Sequence, residues 1–191
     1  MSKAIISVFL VMSAMISIAQ ITVINPGFED TPSDATVPQG WSACAWLTTP
    51  DILPGYWGVY NEPDEGDTYA GIITRENGTF ESFGQRLSAP VLPETCYQMS
   101  IKLAHSMVYA GYGRPIKLRV WLSNELCGES QLIFTSPLID HEEWKTYTIP
   151  FTPTKKGQYI MFEAYIKDGK FNHKGNVLMD NMSSIIACLK A

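Results

Sequence analysis

Asn25-Pro26-Gly27-Phe28-Glu29-Asp30, and its counterpart near the other end of the chain, Val177-Leu178-Met179-Asp180-Asn181-Met182, decide how this sequence folds. Each phrase joins an apolar, strand-forming segment to a carboxylate. If the first and last strands pair, Glu29 and Asp180 meet at one place, where they can share one hard cation.

Between the two phrases, β-branched and aromatic residues recur in short runs separated by Pro, Gly, Asn and Asp, and no amphipathic helix is apparent. Strands are predicted over 22–25, 41–47, 57–60, 69–74, 80–87, 97–105, 117–122, 131–135, 144–151, 159–166 and 176–186. So many short strands with regular turn signals predict an all-β fold, a two-sheet antiparallel β-sandwich or jelly roll. Period-2 alternation sorts core rows from outer rows. Tyr97, Met99, Ile101 and Leu103 share one side of their strand, as do Leu118, Val120 and Leu122, then Tyr147, Ile149 and Phe151, then Ile160, Phe162 and Ala164. The opposite rows carry Arg119 and Trp121, Trp144, and Tyr159, Met161, Glu163 and Tyr165, more aromatic surface than solvent alone would select.

The N-terminus reads as an export signal: Lys3, an apolar run over 4–18 broken only by Ser7, Ser13 and Ser17, then Ala19-Gln20. The run is too short to span a membrane comfortably and has no basic flank after it, so no membrane span is expected once residues 1–19 are removed. Residues 20–191 then form a single domain. Cleavage removes Lys3, one of 14 basic residues set against 19 acidic ones, and takes the formal charge from −5 to −6. That sign argues against a general nucleic-acid binder. Cys44, Cys96, Cys127 and Cys188 lack the close spacing of a zinc or redox motif, so disulfides are expected in an exported chain. Three pairings are open. If 97–105 and 117–122 are antiparallel neighbours, Cys96 meets Cys127, which leaves Cys44 with Cys188.

Taken together, Asn-Pro-Gly-Phe-Glu at 25–29, Pro38-Gln39-Gly40-Trp41, Gly66-Asp67-Thr68-Tyr69-Ala70-Gly71, Gln85-Arg86-Leu87, Cys96-Tyr97-Gln98-Met99-Ser100 and Leu178-Met179-Asp180-Asn181 resemble galactose-binding-like jelly rolls. The similarity is greatest to carbohydrate-binding modules of the CenC type, as found in exported Bacteroidetes proteins. It implies a structural calcium held by Glu29, Asp180 and main-chain carbonyls, with one contributed from the Gly66–Asp67 turn. Asn181 departs from the pattern, since many relatives carry a second Asp there. The rest of the acidic run Asn61-Glu62-Pro63-Asp64-Glu65 lacks EF-hand spacing and is expected to be a solvated turn.

The resemblance also implies glycan binding, which needs a flat aromatic ring and hydrogen-bonding side chains. Two sets qualify. One is Arg119, Trp121, Glu163 and Tyr165 on the outer rows; the other is Tyr109 and Tyr112 in the loop Tyr109-Ala110-Gly111-Tyr112-Gly113-Arg114-Pro115. The alternative for the first set is that its aromatics merely cover the sheet beneath a loop. Catalysis has little support: His105 extends an apolar row, His141 and His173 sit in polar loops, and neither GxSxG nor HExxH occurs. The expectation is a secreted, non-catalytic glycan-binding protein, periplasmic or associated with the outer surface. The alternative is a cell-surface structural or adhesion protein that contacts envelope proteins.

Overall fold

The computed structural model describes residues 20–44, 47–169 and 172–188; the expected leader, residues 1–19, lies outside them. Thirteen strands follow in order: β1 (Gln20–Ile21), β2 (Ser42–Ala43), β3 (Asp51–Leu53), β4 (Tyr69–Thr74), β5 (Ser82–Val91), β6 (Tyr97–Ala104), β7 (Arg114–Pro115), β8 (Lys117–Ser123), β9 (Gln131–Thr135), β10 (Lys145–Phe151), β11 (Gly157–Tyr165), β12 (Gly175–Asp180) and β13 (Ile185–Ala187). They form two sheets. The smaller runs β2-β5-β11-β8-β9, and the larger runs β1-β13-β6-β12-β4-β3, with β10 on the free edge of β6 and β7 beside β12. Every named pairing is antiparallel except β7 with β12. The two sheets make the all-β jelly-roll sandwich that the sequence predicts.

The predicted core rows face inward. Met99, Ile101 and Leu103 of β6, Leu118, Val120 and Leu122 of β8, Ile149 and Phe151 of β10, and Ile160, Phe162 and Ala164 of β11 are buried between the sheets. Phe28 sits at the centre of an aromatic group, with ring centroids 5.3 Å from Trp41, 5.9 Å from Phe83 and 6.4 Å from Phe162. The opening phrase thus delivers a core residue as well as a carboxylate.

The segment predicted as one strand over 176–186 is broken. β12 and β13 lie on the same edge of β6, but the register shifts from Leu178↔Ala104 to Ile186↔Gln98, so two extra residues are inserted over 181–184. Into this gap the Asn25–Phe28 turn docks: Met182 N donates to Pro26 O at 2.9 Å. The predicted strand 57–60 is a turn, because Trp57 and Gly58 adopt φ of 57° and 80°. Extended structure at 22–25 is cut short in the same way by Asn25 at φ 53°. Among the described residues of the predicted strand 41–47, strand structure is confined to Ser42–Ala43, and the short buried strand β3 lies outside the predicted strands.

All four cysteines form disulfides, but in the third pairing: Cys44 with Cys127 and Cys96 with Cys188. The expected Cys96–Cys127 and Cys44–Cys188 bonds fail because β6 and β8 are in opposite sheets, not neighbours. β13 is the true neighbour of the start of β6, and Cys188 N donates to Cys96 O at 2.9 Å beside the disulfide. Cys127 lies in the β8–β9 connection, whereas Cys44 follows β2, three places away in the sheet order. The bond therefore draws that connection across the outer face of β8 and β11.

Phe28→Ala is expected to destabilise the protein by about 3–5 kcal/mol, since it empties a fully buried site against three aromatic rings. Denaturant unfolding measures it, and a loss well under 1 kcal/mol would contradict the central place given to this ring.

Candidate functional site

Three places combine polar groups with shape, and each contains residues singled out in the sequence. At the first, Asn25 hydrogen-bonds its own turn: Oδ1 accepts from Glu29 N at 2.8 Å, and Nδ2 donates to Glu29 O at 2.9 Å. This Asx-type closure fixes where Glu29 points. Its Oε2 accepts from Asp67 N at 3.0 Å, Thr68 N at 3.1 Å and Thr68 Oγ1 at 3.3 Å. Asp180 Oδ2 accepts from Asp64 N at 2.8 Å and Glu65 N at 3.1 Å, and its Oδ1 from Asn181 N at 2.6 Å. The acidic run is a turn with Glu62, Glu65 and Asp67 exposed, as expected, but it is also a structural bridge. Its backbone amides bridge the two carboxylates, while Asp64 accepts from Asn181 Nδ2 at 3.1 Å and pairs with Lys102 at 3.1 Å. Gly66 is required here, since at φ 66° a Cβ would stand 1.9 Å from Glu29 Oε1.

Two observations bear on a cation at this junction. Glu29 Oε1 is buried and has no hydrogen-bond partner, and burial, together with the nearby Glu29 carboxylate, pushes Asp180 up to about 6. Among the described residues no cluster of three or more His, Cys, Asp or Glu side chains could hold a metal. Any such ion would rely on main-chain carbonyls to complete its shell, as hard cations readily do.

The second place is the outer face of the smaller sheet. Arg119 stacks over Tyr165 with its guanidinium 3.3 Å from the ring centroid, and lies 5.7 Å from the centre of Trp121. Trp121 Nε1 donates to Glu163 Oε2 at 2.5 Å; Arg119 reaches Glu163 at 3.7 Å and Asp168 at 3.1 Å. The four residues do come together, but they engage one another. Glu163 and Met161 are only 4% and 3% exposed although they face outward. Burial raises Glu163 above the usual carboxylate range, and Glu129 of the β8–β9 connection contributes. Glu129 of the β8–β9 connection, which Cys127 ties to Cys44, lines a hollow of about 210 Å³ here together with Arg119 and Glu163.

The third place is on the outer face of the larger sheet. There the outward residues Tyr69 and Ile73 of β4, Ala104 of β6 and Leu178 of β12 are not left to solvent: they pack with Leu53, Val59 and Tyr109 into a second, smaller core. The Tyr109 loop is thus a lid on the sheet. Its ring passes so close over Gly71 that a Cβ there would stand 2.7 Å from Oη. Next to this core opens a cavity of about 440 Å³. Its floor holds two buried carboxylates, Asp51 and Glu81. Asp51 accepts from Ala35 N at 2.7 Å, from Trp57 Nε1 at 3.3 Å and from the Tyr109 hydroxyl. Glu81 accepts from Thr49 N at 3.2 Å, Thr49 Oγ1 at 2.8 Å, Ile73 N at 3.1 Å and the Arg75 guanidinium. One wall is the ring of Trp57, 48% exposed and held by its bond to Asp51. Tyr112 and Lys174 line the cavity too, the ammonium 4.6 Å from the Tyr112 ring centre.

Burial raises both floor carboxyls, Asp51 above its ordinary value and Glu81 to about 7, against the opposing pull of Tyr109 on the first and Arg75 on the second. Burial likewise raises Tyr109 well above the usual phenol. Elsewhere His105 is a satisfied interior histidine: it is buried, bonds Gly113 O at 3.0 Å through Nε2, and is lowered by burial.

Of the cavity's residues only Tyr109 and Tyr112 were singled out in the sequence. Trp57 was missed because an aromatic run was read as a strand, although the flanking Pro54-Gly55 and Gly58 are turn signals. Arg75 and Glu81 flank the single turn between β4 and β5, but Asp51 and Lys174 come from distant segments whose convergence on that turn no spacing encodes.

Compared with family models and with curated proteins, the sequence matches none. Among solved structures it is similar to the Stig cyclase Fisc from Fischerella sp. TAU, in complex with an indole compound (TM-score 0.57, 15% identity, 92% of this chain and 100% of that one). It is also similar to the K3 cleaved adhesin domain of Lys-gingipain from Porphyromonas gingivalis w83 (TM-score 0.54, 14% identity, 90% and 98% covered). A third similarity is to the CBM22-1 xylan-binding domain of Xyn10C from Paenibacillus barcinonensis (TM-score 0.52, 13% identity, 86% and 93% covered). These likenesses establish the jelly-roll sandwich shared with carbohydrate-binding modules. A cyclase, an adhesin domain and a xylan-binding domain all use it, so the choice among functions belongs to the site.

Glu81 also sets a pH dependence. A carboxyl whose pKa is raised from 4.5 to about 7 on folding contributes stability that is complete below 4.5 and is lost as pH rises through about 7. Unfolding free energy is therefore expected to fall between about pH 5 and about pH 8, and Glu81→Gln, which cannot ionise, to flatten the slope. Denaturant titrations of both proteins check it; equal slopes would remove Glu81 as the responsible group.

Proposed function

We propose that this is a secreted, non-catalytic glycan-binding protein whose ligand occupies the cavity beside Trp57. The observation that carries the reading is the half-exposed indole of Trp57, clamped by Asp51 at the mouth of a cavity of about 440 Å³. A ring fixed in orientation is what stacking on the apolar face of a pyranose requires, and the volume falls within the range of small-ligand sites. Similarity to a xylan-binding domain supports the ligand class. The outer set of Arg119, Trp121, Glu163 and Tyr165 is the weaker candidate, since Glu163 is taken up by Trp121 and Arg119, and Arg119 also pairs with Asp168, although Arg119 Nε has no partner among the described residues.

The non-catalytic reading is supported by the structural commitment of Asp51 and Glu81, each of which is held by several donors of the fold. Two disulfides suit an oxidising compartment, and among the described residues no helix is long and apolar enough to cross a membrane. A second reading, adhesion to envelope proteins, is favoured by Met107 and Val108, both well exposed beside Trp57 where Ala110 N donates to Trp57 O at 2.9 Å. Capture of envelope proteins without glycan affinity would mark that case.

The proposed structural calcium would be held by Glu29 and Asp180 with backbone carbonyls. It is supported by the unpartnered Glu29 Oε1 and by the crowding of two carboxylates. Its role would be to stabilise the junction of the first and last strands.

For the glycan site, Trp57→Ala is expected to weaken binding at least about tenfold while Trp121→Ala leaves it unchanged. Titration against the best hit of a glycan array reads this out, and the opposite pattern would move the site to the smaller sheet. For the cation, EDTA is expected to lower the melting temperature by about 5–10 °C, with the drop abolished in Glu29→Gln. Wild-type melting that ignores both chelator and added Ca2+ would dismiss it.

A further inference from the structure

The charges around the Trp57 cavity are arranged unusually for a pair of neighbouring strands. Gly175 of β12 pairs with Thr74 of β4, so one step further along the same register Lys174 stands opposite Arg75. Like charges directly opposite in a sheet are destabilising. Both side chains line the cavity. Among the described residues Lys174 reaches only Glu76, at 3.8 Å and half-exposed, a pairing of small worth in water. Arg75 pairs with Glu81 through one of its nitrogens, Nη2.

Hydrogen-bonding capacity points the same way. The acceptors of the floor, Asp51 and Glu81, are taken up by the donors of Ala35, Trp57, Tyr109, Thr49, Ile73 and Arg75. Of the five N–H donors of a guanidinium, those of Arg75 that make hydrogen bonds within the described residues all belong to Nη2. Among the described residues the ammonium of Lys174 makes no hydrogen bond, only the contacts with Glu76 and with the Tyr112 ring. The cavity thus offers uncommitted cationic donors, while its two carboxylates are already engaged as acceptors. A neutral sugar hydroxyl both donates and accepts; a carboxylate or sulfate only accepts, and does so best from charged donors.

We propose that the cavity recognises an acidic sugar residue, a uronate or a sulfate ester, whose ring stacks on Trp57 while its anionic group lies between Arg75 and Lys174. This rests on the glycan-binding reading and narrows it to one chemical class. It also gives Lys174 a role apart from stability: as a half-exposed residue in weak contact with Glu76, it is a specificity determinant that can be changed without disturbing the core.

The test is a glycan array of uronate-bearing and sulfated oligosaccharides printed beside their carboxyl-reduced and desulfated counterparts, followed by solution titration of the strongest pair. The acidic member is expected to bind at least about tenfold more tightly than its neutral counterpart. Lys174→Gln is expected to bring that preference to within about twofold, by weakening the acidic member alone, and Glu76→Gln, which frees the ammonium, to increase it. Whether uronates or sulfates respond tells which acid is read. Equal binding of acidic and neutral members, or a preference that survives Lys174→Gln, overturns the acidic-sugar inference and leaves the glycan-binding reading standing. Absence of binding to every member overturns both.

Discussion

The backbone amides of the 64–68 turn, held between two carboxylates from opposite ends of the chain, are the constraint on which the rest of the sandwich depends. Glu29 takes the amides of Asp67 and Thr68, and Asp180 those of Asp64 and Glu65. One turn thereby fixes the first segment against the last strand. Each charged acceptor takes several backbone donors at once, and hydrogen bonds to an ionised acceptor are about twice as strong as neutral ones. The same turn leads directly into β4, and β4 carries Ile72 into the main core and Ile73 into the second one. Junction, core and cavity are therefore mechanically continuous.

The second core explains why the cavity exists. A sheet face left bare would expose Tyr69, Ile73, Ala104 and Leu178 to water; the loops around Val59 and Tyr109 cover them instead. Loops that pack onto a sheet must end somewhere, and at the edge of this cover lie the uncovered indole of Trp57 and the hollow beside it. Buried carboxylates on the floor then serve as anchors: Asp51 ties Trp57 to Tyr109, and Glu81 ties β4 to Thr49 and Arg75. The smaller sheet meets the same problem differently. Its outward aromatics are closed over by a disulfide-tethered connection, and their polar groups turn to one another.

How far the sequence could be read differs from feature to feature. The alternation in 97–104, 117–122 and 159–165 is legible because a strand has only two sides, so an apolar row every second residue commits the backbone and the facing at once. The junction is legible because Phe28 and Glu29 are adjacent, and a buried ring next to a carboxylate permits few placements. The strand at 176–186 looked continuous because its apolar pattern does not record that two residues bulge at 181–184 to admit the Pro26 carbonyl. The disulfide pairing is not legible for a related reason: strands consecutive in sequence need not be neighbours, and the jelly-roll order sends 97–104 and 117–123 to different sheets.

By itself the sequence determined that the chain is all-β, which rows are buried, that four cysteines are oxidised, and that its two ends carry carboxylates to one place. These follow from local periodicity and residue chemistry, which act over a few positions. The tertiary structure alone decided which cysteines meet, that the Trp121 face is covered, and that Asp51, Trp57, Arg75, Glu81, Tyr109 and Lys174 surround one cavity. Those outcomes depend on which strands become neighbours, and that is set by the summed packing of two whole sheets, not by any stretch short enough to carry a motif.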